Sequence, residues 1–147
     1  MKNYTILDHT ADIGFEVFGK TREELFANGV AAMFDLILDQ SDQGKLPDLP
    51  VRETVEEKSI VIEGNDPEDL LVNFLREVLY LFNGKNWVVI DCRLVEMTER
   101  RIDAELFGEP YDPQKHHVKM EIKAVTYHGL SVKRTSKGWK ARVIFDV

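Results

Sequence analysis

Two acidic stretches at opposite ends of the chain carry the residue types best suited to holding a cation. Near the N-terminus Asp8-His9-Thr10-Ala11-Asp12 places two carboxylates within five residues, and the sequence closes on Val143-Ile144-Phe145-Asp146-Val147. Carboxylates brought close together raise one another's pKa. A hard cation such as Ca²⁺, Mg²⁺ or Mn²⁺ removes that repulsion while accepting several oxygen ligands. By spacing alone Asp12 reads as turn chemistry, because Asp and Thr side chains bond nearby backbone N–H groups. The apolar run before Asp146 alters the balance. Val143-Ile144-Phe145 reads as buried strand, so the carboxylates after it are fixed by a sheet where a terminus would otherwise fray.

Other reactive side chains offer less. Cys92 lies among Val89, Ile90 and Leu94 with no cationic neighbour to lower its pKa, and reads as an inert core or semi-core residue. His116 and His117 alternate across a predicted strand and could not chelate one ion from a single face, so they read as a solvated strand end. Phosphate-binding glycine loops, the H-E-x-x-H zinc motif, the G-x-S-x-G elbow and paired cysteines are all missing from the sequence, which argues against a nucleotide-fold or zinc enzyme. The basic cluster Lys133, Arg134, Lys137, Lys140 and Arg142 reads as the solvated hairpin of the last two strands.

The elements that must position these residues are legible from period and punctuation. Residues 3–19 read as a β-hairpin whose tip lies near 9–12. Thr21 with Glu24 forms a capping box ahead of a helix expected over 22–38. The polar stretch 39–50 reads as a long loop, and Ile60-Val61-Ile62 as a strand within 51–63. Asp66-Pro67 supplies an N-cap and a first-turn proline for a second helix over 67–83, whose leucines and phenylalanines form a broad apolar stripe. Strands follow over 87–97, 100–108, 116–126, 129–134 and 139–146. In the third of these, Val118, Met120, Ile122 and Ala124 alternate with Lys119, Glu121, Lys123 and Val125, which turns Lys123 away from the apolar side. The expected fold is α+β: a largely antiparallel sheet with two helices packed against it, an N-terminal β-hairpin and a C-terminal β-meander.

A chain of 147 residues with 44% hydrophobic and 31% charged residues is sized and composed as one globular domain over 1–147. No apolar run approaches the roughly 20 residues of a membrane span, the N-terminus lacks a signal-peptide pattern, and one cysteine demands no oxidising compartment. A cytoplasmic protein is expected. The net charge of −7 disfavours unaided binding to a nucleic-acid backbone, so any RNA is expected to be held by a partner.

At three places the sequence resembles the archease family, accessory proteins of the RtcB-type RNA ligase that joins tRNA exon halves. The resemblance rests on Asp8-His9-Thr10-Ala11-Asp12, on Glu121-Ile122-Lys123-Ala124-Val125-Thr126-Tyr127-His128 and on Val143-Ile144-Phe145-Asp146-Val147, in that order along the whole chain. It implies a metal site in which Asp12 and Asp146 give carboxylates and Val147 a main-chain oxygen. It also implies that Lys123 takes part in activating the ligase and that Asp8 and His9 orient the turn. The divalent cation would be Ca²⁺ first, with Mg²⁺ or Mn²⁺ as alternatives. The implied function is non-enzymatic, with no catalytic residue of its own: promoting guanylation and multiple turnover of the ligase, with tRNA met only through that partner and no membrane involved. Two other readings stay open, a small metal-dependent phosphoester hydrolase and a chaperone-like binder of protein or RNA.

Overall fold

The structure, a computed structural model, describes residues 3–8, 12–39 and 55–147. Its elements run β1 Tyr4–Asp8, β2 Asp12–Gly19, α1 Arg22–Ile37, β3 Glu56–Glu63, α2 Pro67–Lys85, β4 Trp87–Met97, β5 Arg101–Pro110, β6 Ala124–Thr135 and β7 Gly138–Asp146. The fold is α+β with every strand pair antiparallel. The strands divide between two sheets, ordered β1-β2-β7-β6 and β3-β5-β4. The closing hairpins β4–β5 and β6–β7 therefore belong to different sheets.

Local chemistry sets both helices. Thr21 Oγ1 accepts from the Glu24 N–H at 3.1 Å to cap α1, and Asp66 Oδ1 accepts from the Asp69 N–H at 2.8 Å to cap α2, with Pro67 opening its first turn. Asn86 ends α2 in the left-handed region at φ 55°, a conformation Asn tolerates better than most residues. Helix α1 buries Leu25, Phe26, Val30, Met33, Phe34 and Ile37, with Gly29 and Ala32, on nearly all sides. That pattern belongs to a helix enclosed by other elements, and both helices touch strands of both sheets.

The core forms where the two sheets and the helices meet. Phe15 and Phe145 cross edge to face at 5.1 Å between ring centres, and Phe26 stacks on Phe74 at 6.0 Å to join α1 to α2. Along β2 and β7 the odd-numbered residues Phe15, Val17, Ala141, Val143 and Phe145 are buried on the helix side. The even-numbered residues, Asp12 and Asp146 among them, take the outer face.

Two readings from the sequence need correction. Strands over 116–126 and 129–134 do not form as such. Residues 116–123 lie outside any strand, tied by an isolated Leu38–Val118 bridge and by the Lys119 and Met120 N–H groups donating to Ile37 O. The ladder starts at Ala124 and continues through a bulge between Thr126 and Ser131, so β6 is one strand. The apolar alternation fails across this junction: Val118 is 46% exposed, whereas Ile122 and Val125, three residues apart, are both buried. His116 is not a solvated strand end but is 1% exposed. Its Nδ1 accepts from the Asp112 N–H at 2.9 Å, leaving the proton on Nε2 to donate to buried Glu109 at 2.8 Å. His117 beside it is exposed. The expected loop over 39–50 lies outside the described residues apart from Asp39, whose N–H donates to His117 O at 2.7 Å.

Cys92 is half-buried in β4, and burial, reinforced by the neighbouring Asp91 carboxylate, pushes its thiol up to about 12. Since the thiolate is the reactive form, labelling of the native protein at pH 8 with a disulfide reagent is expected to be roughly a hundredfold or more slower than labelling in denaturant. Equal rates would show an exposed, ordinary thiol.

Candidate functional site

Strand β7 lies between β2 and β6, and this order carries the end of the chain to its beginning. In the β2–β7 register Asp12 stands directly across from Asp146. The two residues share the outer face, where opposed side chains on antiparallel strands have Cβ atoms roughly 4.5–5.5 Å apart and like charges destabilise the pair. The repulsion is matched by a missing partner. Asp12 Oδ1 is fully buried with no hydrogen bond, one of two such side-chain atoms among the described residues. A buried carboxylate oxygen left unpaired costs about 1–3 kcal/mol or more.

These donors fit a hard cation. The ion would meet the orphaned Asp12 oxygen, offset the repulsion with Asp146 and accept main-chain oxygen from the end of β7, where Val147 is 36% exposed. Among the described residues no three His, Cys, Asp or Glu side chains converge on one point. A cation held here would have two carboxylates as its side-chain donors, completed by main-chain oxygen and water, which would suit Ca²⁺, Mg²⁺ or Mn²⁺ and not a thiolate–imidazole zinc centre. Asp8 is in register with Ile13, one position along from Asp12, and His9 lies outside the described residues.

Lys123 is brought to the same place by the backbone. Its N–H donates to Asp146 O at 2.7 Å, and the next residue, Ala124, is the Cα partner of Asp146 across β6–β7. The Lys123 side chain is exposed and forms no ion pair among the described residues. With its backbone tied to Asp146 and its side chain exposed, Lys123 keeps an ammonium available to another group.

Helix α2 fixes this stretch through residues that patterning had not singled out. Asn83 Nδ2 donates to Ile122 O at 3.0 Å, Arg76 Nε to Val125 O at 3.2 Å, and the Tyr127 hydroxyl to Asp69 Oδ1 at 2.7 Å, with the Arg76 guanidinium 4.8 Å from the Tyr127 ring centre. The Asn65 N–H and the Tyr127 hydroxyl hold the Asp69 carboxyl below the usual carboxylate range, while Asp69 raises Tyr127. Asp69, Arg76 and Asn83 recur every seven residues, one polar line along the helix. That spacing was the available signal, overshadowed by the leucines and phenylalanines beside it.

The architecture and the paired carboxylates define a class: an α+β protein whose second and last strands pair so that two carboxylates stand opposite each other. Residues 4–147 match the model of the Archease protein family (MTH1598/TM1083). The chain is 41% identical to the protein archease of Methanosarcina barkeri over 99% of this chain and 97% of that one. It is 36% identical to that of Pyrococcus abyssi over the full length of both. Among solved structures it is similar to Methanobacterium thermoautotrophicum protein 1598, with TM-score 0.73, 28% identity and complete coverage of both chains. The Thermotoga maritima archease, described as a possible chaperone, shares the fold at TM-score 0.60 and 23% identity over 96% of this chain and 94% of that one. The chain belongs to the archease family. No helix among the described residues is long and apolar enough to cross a membrane.

The like-charge pair gives the site a thermal signature. In excess chelator, Asp146→Asn is expected to raise Tm by up to about 4 °C, because a directly opposed like pair costs up to roughly 1 kcal/mol and a domain of this size shifts a few degrees per kcal/mol. A lower Tm by calorimetry would mean that the carboxylate is already paired.

Proposed function

We propose that this chain is a non-enzymatic, cytoplasmic accessory factor that holds a divalent cation between Asp12 and Asp146 and presents it, with Lys123, to an RtcB-type RNA ligase. The observation that carries this reading is the cross-strand register of Asp12 with Asp146, joined to the orphaned Asp12 oxygen. Family membership supports it, since the match over residues 4–147 spans all three stretches on which the resemblance rests. Ca²⁺ is the first choice of ion. When bound, such an ion supplies Lewis acidity toward phosphoryl oxygens.

The chain's own residues do the positioning. Asp12 and Asp146 hold a fixed geometry because β7 is hydrogen-bonded on both sides. Lys123, tied through its backbone to Asp146, would meet a phosphate as a point charge and not as a bidentate fork. Its ammonium can approach a guanylate or a ligase side chain because its side chain is exposed. Together these groups would favour formation of the ligase's guanylated intermediate and so its repeated turnover, with tRNA held chiefly by the ligase.

A ligation assay with the cognate ligase tests this in single- and multiple-turnover formats. Asp12→Ala, Asp146→Ala and Lys123→Ala are each expected to cut multiple-turnover stimulation at least tenfold while the folded protein keeps its far-UV and near-UV dichroism. Full stimulation by folded Asp12→Ala would sink the reading. Phosphoester turnover by the isolated protein would instead favour the hydrolase alternative.

A further inference from the structure

The basic residues of the β6–β7 hairpin stand in an order that solvation alone does not call for. In the β6–β7 register Lys133 is directly opposite Lys140 and Ser131 opposite Arg142, which puts three cations on neighbouring positions of the outer face. Directly opposed like charges destabilise a strand pair. The nearby acid, Glu16, is the Cα partner of Arg142, yet its carboxylate leans toward Lys140 at 3.9 Å. Arg142 forms no ion pair among the described residues, and its Nε is the second buried polar atom without a partner.

On the other face of the same hairpin, the Arg134 and Arg22 guanidiniums each come 5.9 Å from the Trp139 ring centre. The acids at this end besides Glu16 are Glu23 and Glu24 in the first turn of α1, and Glu24 accepts from the Lys20 N–H at 3.0 Å. A chain of net charge −7 thus keeps one strongly basic end, with an aromatic ring on its opposite face. Along β2–β7 Arg142 stands four and Lys140 six residue pairs from Asp12 and Asp146, roughly 13 and 20 Å away.

We propose that this hairpin end binds the phosphodiester backbone of a single nucleic-acid strand, with Arg142, Lys133 and Lys140 each meeting phosphate. Successive cations along β7 are roughly 7 Å apart, a spacing that suits neighbouring phosphates of one strand. Arg142 forms no ion pair among the described residues, so beyond its buried Nε the two terminal nitrogens of its guanidinium have no carboxylate to occupy them and can meet phosphate. Phosphate between Lys133 and Lys140 would also relieve their mutual repulsion. The interaction is electrostatic and carries no base readout. It adds to the hold of any partner on the strand and does not depend on the cation reading.

Fluorescence anisotropy with labelled single-stranded RNA of about a dozen nucleotides tests it, on the full chain in EDTA so that the carboxylate end carries no metal. The wild type is expected to bind at low salt. The triple variant Lys133→Gln, Lys140→Gln, Arg142→Gln should bind at least tenfold more weakly. The slope of log affinity against log salt should flatten by about 2, at roughly 0.7 for each phosphate that the variant no longer neutralises. An equal change of net charge at Lys58, Lys85 and Lys119 should leave affinity within threefold. The hairpin variant should keep or raise Tm, since it removes an opposed like-charge pair. Equal weakening by both triples, or no binding by the wild type at the lowest salt, overturns the proposal. So does displacement of the RNA by polyglutamate as effectively, per charge, as by unlabelled RNA, which would assign the surface to an acidic protein.

Discussion

The arrangement depends on one constraint: β7 is an interior strand. With β2 on one side and β6 on the other, its last residues are held by two ladders, and Asp146 is fixed against Asp12 and beside Lys123 by backbone hydrogen bonds. Had β7 been an edge strand, Asp146 would answer to one neighbour and fraying would spread the carboxylates apart. The alternation of the same strand buries Val143 and Phe145 against the helices while leaving Asp146 on the outer face. Burial of one face thus holds two charges together on the other.

That placement sets a repulsive pair against a well-packed core. Phe145, next to Asp146, meets Phe15 of the same ladder edge to face and so locks β7 to β2, and the core they join extends through α1 to the second sheet. Gly14 permits the closeness: a Cβ there would come within 2.5 Å of both Val143 O and the Ile144 side chain. A domain with this much buried apolar surface tolerates an opposed carboxylate pair, which costs no more than a surface mutation of ordinary size. The polar line Asp69, Arg76 and Asn83 then fixes the entry into β6, so Lys123 is defined from the helix side as well as from β7.

Much of this was legible in the sequence because it is local. The caps at Thr21 and Asp66 and the N-terminal hairpin follow from residue chemistry within a few positions, and α1 and α2 end within two residues of where period and punctuation place them. The pairing of Asp12 with Asp146 is not local. It was reachable only because family resemblance supplied what a 134-residue separation conceals, and the ladder then gave it a geometry. Residues 116–123 misled because an alternating pattern does not report whether a stretch finds a strand to pair with. His116 was missed because its burial depends on Glu109 and the turn at Asp112, which no single-residue pattern reports.

The outer face of the four-stranded sheet is consequently bipolar, with the Asp12 and Asp146 carboxylates at one end and Lys133, Lys140 and Arg142 toward the other. The two buried, unpartnered side-chain atoms among the described residues, Asp12 Oδ1 and Arg142 Nε, both belong to residues of this face. The claim that rests most heavily on the interior strand is that the carboxylate end holds a cation, and paramagnetic broadening by Mn²⁺ in amide NMR spectra reads it directly. Substoichiometric Mn²⁺ should first broaden the amides of Asp12, Ile13, Ala124, Asp146 and Val147, and Asp146→Asn should abolish that selectivity. Broadening centred elsewhere, or unchanged in the variant, would contradict the account.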